Sequence, residues 1–87
     1  MLIRYNNQTI RIKDRVSFEV NYDMLDVICN IIDAKGNVLM TGAGKDRIGM
    51  ERAVRHINSS LHWRPENILK IDAGWKITEH DPYANMG

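Results

Sequence analysis

The residues best placed to do chemistry in this 87-residue chain lie between Gly42 and Arg64. Gly42-Ala43-Gly44-Lys45-Asp46 precedes a helical pattern, and a glycine corner before a helix lets backbone N–H groups receive a phosphate. The P-loop pattern is not met, because Leu39 stands at its first glycine and Asp46 where Ser or Thr would meet magnesium. The dinucleotide pattern fails at Arg47, its third glycine position. The corner therefore reads as a strand-to-helix turn with Asp46 as helix N-cap. His56 and His62 are six residues apart, where a helix needs four to bring two ligands onto one metal. Ser59 and Ser60 lie within a turn of His56, but no carboxylate is spaced to orient the ring for nucleophilic attack. Asp23 and Asp26 read as turn residues and not as an acid–base pair. The expectation is a protein that is not an enzyme and carries no metal or cofactor.

A different chemistry is concentrated on the helix itself. Arg52, Arg55, His56, Ser59 and His62 are neighbours at spacings of three and four, with Arg47 a turn earlier and Trp63 and Arg64 just past the end. Arg47, Arg52, Arg55, His56, His62, Trp63 and Arg64 are thus the candidate partner-binding residues, a basic ridge with an aromatic tip. Such donors suit an acidic protein patch or a phosphate backbone. Only Glu51 offsets them locally, by i±4 pairing with Arg47 and Arg55.

The elements that must hold this ridge follow from periodicity. Met50, Ala53, Val54, Ile57 and Leu61 form an apolar stripe on a helix from about Arg47 to His62, and Arg64-Pro65 stops it. Gly49 weakens its first turn by about 1 kcal/mol relative to alanine. Leu2–Tyr5 and Thr9–Lys13 flank the polar turn Asn6-Asn7-Gln8. Val16, Phe18, Val20 and Tyr22 alternate with polar residues, the habit of a strand with one dry face. A link then carries Leu25 toward the core, and Val27–Ile32 reads as a more central strand, apolar on both faces except at Asn30. Asp33–Asn37, with Gly36 free to take positive φ, turns the chain into Val38–Thr41. A last strand, Ile68–Ile71, continues through a kink at Gly74 to Trp75 and Ile77. No internal repeat stands out. The fold class is α+β: a mostly antiparallel sheet of four to six short strands, covered on one face by a single helix near residues 46–62. Residues 1–79 form one domain and 80–87 a flexible tail. Val20 and Ile57, each central to its stripe, are expected to be buried against each other.

The span Ile31–Asn58, with IIDAKGNVLMTG before a helix holding GMERAVRHI, resembles the hairpin-then-helix unit of YegP-like proteins, which implies no known chemistry. In outline it is also similar to the arm-binding domain of phage integrases, a small sheet under one helix. That likeness implies DNA read by the sheet, although the strands here carry fewer basic side chains.

Composition bounds the function. The chain is 44% hydrophobic and 26% charged, as in a globular domain. The net charge of +1 conceals an imbalance: residues 45–64 carry +3 and residues 65–87 carry −2. That balance disfavours wrapping nucleic acid with the whole surface. The single Cys29, in the run VICNII, reads as a buried small hydrophobe and rules out an internal disulfide. No apolar run reaches a membrane span, and the expected location is a reducing cytoplasm. These readings converge on a small binding protein that occupies an acidic surface of a partner protein. Inhibitor and adaptor are the natural roles, including that of a phage or mobile-element accessory protein. The alternative is a nucleic-acid-binding module using the basic helix face, and a subunit of a homo-oligomer is a third.

Overall fold

The computed structural model describes residues 1–61 and 67–81, the last two by backbone alone. Its seven strands divide between two sheets, one more division than the single sheet of four to six strands expected. β1 (Leu2–Tyr5) and β2 (Gln8–Arg11) form an antiparallel hairpin. Its two-residue turn, Asn6-Asn7, has φ of 50° and 62°, a left-handed pair that asparagine tolerates and that matches strand twist. β3 (Ser17–Asp23), β4 (Asp26–Ile32) and β5 (Val38–Ala43) form a three-stranded antiparallel sheet with β4 in the middle. That position explains why β4 is apolar on both faces and why Cys29, Asn30 and Ile31 are buried. A 3₁₀ turn, Gly44–Asp46, leads into α1 (Arg47–Ser60). β6 (Ile68–Ile71) then lies parallel to β1, and β7 (Ile77–Asp81) pairs antiparallel with β6. The order β2-β1-β6-β7 means that the entire second sheet and the helix are inserted between two neighbouring strands of the first.

The helix is the joint between the sheets. Met50, Ala53, Val54 and Ile57 are buried in one cluster with Cys29, Ile31 and Met40 of the three-stranded sheet and Ile3, Leu69 and Ile71 of the four-stranded one. Ile57 is fully buried, whereas Val20, expected to match it, is only partly covered. On one flank the Asn58 side chain clamps Val16: its Nδ2 donates to the Val16 carbonyl at 2.9 Å and its Oδ1 accepts from the Val16 N–H at 2.8 Å. On the other flank Gly49 lies against Trp75, so close that an added Cβ would sit 2.9 Å from the Trp75 Cβ. The glycine that weakens the first helical turn is what lets the indole in.

Trp75 occupies a turn, not a continuing strand. Asp72 Oδ1 accepts from the N–H groups of Gly74 and Lys76, both at 2.9 Å, while Trp75 N–H donates to the Asp72 carbonyl at 3.0 Å. The β4–β5 loop is built the same way: Asp33 Oδ1 accepts from Lys35 and Asn37 N–H at 2.9 Å, and Gly36 N–H donates to the Asp33 carbonyl. Both hairpins also carry a bulge at matching places, Ile32 pairing with Val38 and Ile71 with Ile77. An Ile-Asp-Ala turn thus recurs where no repeat was expected. Its left-handed position holds Gly36 in one hairpin and Trp75, at φ 65°, in the other. The strain of about 1–3 kcal/mol at Trp75 is offset by burial of the indole and by its stacking on Tyr5, with ring centroids 4.6 Å apart.

Three other expectations are corrected. Leu25 does not reach the core: it is 100% exposed in a two-residue turn with Met24. Tyr22, the last apolar residue of the alternating strand, is 75% exposed because β3 runs past the end of the helix's cover. His80 and Asp81, expected in the tail, belong to β7 opposite Leu69 and Ile68, and residues 82–87 lie outside the described residues.

Gly49→Ala is expected to destabilise the protein in spite of better helix propensity, since overlap with Trp75 costs about 1–3 kcal/mol against a gain of ~1. Asn58→Ala should cost about 1–3 kcal/mol, much more than Ser59→Ala, by stranding both polar groups of Val16. Urea denaturation of the three variants checks both statements, and equal midpoints would remove these contacts from the account. Cys29 is fully buried opposite Val20 and Gly42, so a thiol reagent should modify it only as fast as the protein opens. Rapid labelling of the native protein would contradict that packing.

Candidate partner-binding site

The stripe that buries Met50 and Ile57 dictates which residues face outward. Opposite it lie Ile48, Arg52, Arg55 and Ser59, at spacings of four, three and four, all exposed. Among the described residues Arg52 and Arg55 form no ion pair, whereas Arg47 meets the Glu51 carboxylate. Its Nε lies 3.5 Å from Glu51 Oε1 with both side chains well exposed, a contact worth a few tenths of a kcal/mol. Arg55, the other residue within reach of Glu51 by spacing, does not pair with it. His56 is half-buried at the flank of the ridge. The Ser59 hydroxyl is turned back onto the helix and donates to the His56 carbonyl at 2.9 Å, as does Ser60 at 2.8 Å. Among the described residues the ridge therefore presents Arg52 and Arg55 without a carboxylate partner, beside His56 and the paired Arg47. His62, Trp63 and Arg64 lie outside the described residues.

Sequence reasoning passed over Ile48. It is 71% exposed and completes a row with the two arginines, a placement legible from the helical angle it shares with Arg52 and Arg55. An apolar side chain at the head of an otherwise polar row was the available signal.

The glycine corner is explained by packing. A Cβ at Gly42 would lie 2.7 Å from Met50 Sδ, and one at Gly44 would lie 3.1 Å from Val27 Cβ. Asp46 holds the N-cap position, but its side chain makes no capping hydrogen bond; its Oδ2 instead accepts from the Ala43 N–H at 3.0 Å and closes the 3₁₀ turn. A carboxylate therefore occupies the place where an anion would have to bind. Its charge reaches Tyr5, whose phenol is pushed above its ordinary value of 10.0 first by burial and second by Asp46.

The depressions on the surface are open grooves. One is lined by Arg11, Ile12, Lys13, Asp14, Lys35 and Leu39 together with Asp33, whose carboxyl is held below its ordinary value by hydrogen bonds from Asn37 and Lys35. Among the described residues no three His, Cys, Asp or Glu side chains gather as a metal site, and no helix is long and apolar enough to cross a membrane. The fold and the site together define a small α+β domain, two mostly antiparallel sheets joined by one helix with a basic outer face. Compared with protein-family models, curated proteins and solved structures, the chain matches none.

Because the fold raises the pKa of Tyr5, it contributes stability that is present below pH 10 and is lost as pH rises through the folded-state value. Tyr5→Phe is expected to flatten that alkaline limb, and Asp46→Asn to move the phenol's titration downward. Thermal midpoints between pH 8 and 11.5, with phenolate absorbance, read both, and a wild-type phenol titrating at or below 10 would refute the assignment.

Proposed function

We propose that this chain is a non-enzymatic binding protein that occupies an acidic surface on a partner protein through the outer face of α1. The observation that carries the reading is Ile48, exposed in line with Arg52 and Arg55, which have no ion-pair partner among the described residues. Arginines around an apolar side chain are the composition of a protein–protein contact, where the guanidinium plane and the apolar group are desolvated together. A polyanion would use the arginines and gain nothing from Ile48. Two or three phosphate contacts would also give weak binding, readily lost in salt. Inhibitor and adaptor are the roles such a face serves, since each acts by covering a surface.

Arg52→Glu and Arg55→Glu are each expected to weaken the partner complex by about 1–3 kcal/mol and to slow association at low salt. Pull-down from the producing cells, with and without nuclease, followed by titration of the purified partner, is the measurement. Nanomolar, salt-sensitive binding of the wild-type chain to random-sequence RNA or DNA would overturn the reading in favour of a phosphate-contacting helix, with a salt slope of roughly −0.7 to −0.9 per contact.

A further inference from the structure

The β3–β4 hairpin ends in Tyr22-Asp23-Met24-Leu25-Asp26, and its chemistry is the reverse of a solvent turn. Tyr22, Met24 and Leu25 are 75%, 97% and 100% exposed. Met24 takes φ of 52°, a left-handed conformation that glycine and asparagine adopt readily and methionine does not. The same chain shows what a purely structural two-residue turn requires: β1 and β2 are joined by Asn6-Asn7, polar and left-handed at both positions. At the β3–β4 turn the chain accepts both backbone strain and two fully solvated large apolar side chains. Strain and apolar exposure coinciding at one loop mark a contact surface, because neither contributes to the fold.

The charges around the tip select the kind of partner. Asp23 and Asp26 are a cross-strand pair immediately behind the turn, and among the described residues neither forms an ion pair. We propose that the tip is an anchor that inserts Met24 and Leu25 into an apolar cleft of another protein whose rim carries lysine or arginine for Asp23 and Asp26. An anionic bilayer would repel both carboxylates as the apolar groups entered. A second copy of this chain fits poorly, since the groove lined by Arg11, Lys13 and Lys35 also presents Asp14 and Asp33. The tip lies toward the end of the three-stranded sheet where α1 begins: Val27, opposite Tyr22, packs against Gly44 just before the helix.

The test uses the full chain with a photoreactive benzoylphenylalanine replacing Leu25, irradiated in the producing cells. The crosslinked protein is purified and titrated with the wild type, with Met24→Gly/Leu25→Ser, with Asp23→Asn/Asp26→Asn, and with Arg52→Glu. The tip double variant is expected to lose 10- to 100-fold in affinity while its Tm rises by roughly 4–8 °C, the strain at Met24 being relieved. The aspartate variant is expected to lose affinity together with its dependence on salt. A merely structural turn would show neither the loss of affinity nor its pairing with a gain in Tm. Loss with the tip variant but not with Arg52→Glu would leave this inference standing and the helix-face reading refuted, and the converse would do the opposite. Absence of a crosslinked protein, tip-dependent self-association in sedimentation, or tip-dependent binding to phosphatidylcholine–phosphatidylglycerol vesicles would each overturn the proposal.

Discussion

The close approach of α1 to Trp75 at Gly49 is the contact on which this structure depends. Neither sheet has a core of its own: three strands and four strands each present one apolar face, and the helix is the element that covers both. Its packing against the three-stranded sheet is a conventional stripe of Met50, Ala53, Val54 and Ile57. Its packing against the four-stranded sheet needs backbone to pass close to an indole, which only a residue without Cβ permits. The Asn58 clamp on Val16 then sets how far the helix turns toward the other sheet. Burial of Trp75 and its stacking on the partly buried Tyr5 in turn hold the β6–β7 hairpin in a turn that would otherwise call for glycine.

The same constraint leaves the surface divided. One side of α1 is committed to two sheets, so everything polar on the helix is forced outward onto one face. Helix length limits the cover as well. β3 and β4 extend past it, and their turn therefore projects Tyr22, Met24 and Leu25 into solvent with two carboxylates behind them. A basic row containing an apolar residue and an apolar tip backed by acidic residues are two surfaces of opposite charge on one small domain.

How much of this is legible in the chain depends on the range of the forces. Short-range signals carry well: the period of 3.6 in Met50–Ile57, the period of two in β3, the Asn6-Asn7 and Asp33–Gly36 turns, and the α+β class are all set by local sterics and by which face is apolar. The arginine row was readable for the same reason, and Ile48 could have been read with it. Signals that depend on distant chain were not readable. The Asp72 turn is as local as the Asp33 one, but it has Trp75 where the other has glycine, and Trp75 holds positive φ because Tyr5 and Gly49, far away in the chain, receive its ring.

The sequence by itself determined the element types, the apolar stripe, the outward arginines and the class of fold, since each follows from spacing along one segment. Tertiary structure alone decided the division into two sheets, because β1 and β6 find each other across more than sixty intervening residues by a parallel pairing that no local pattern encodes. It also decided that Leu25 faces water and not the core. A leucine in a link is apolar wherever it lies; whether it is covered depends on where the helix begins relative to the strands. Asp46 shows the same limit at shorter range: an acidic residue before a helix favours a cap, but the glycine corner folds back and presents Ala43 N–H to it first.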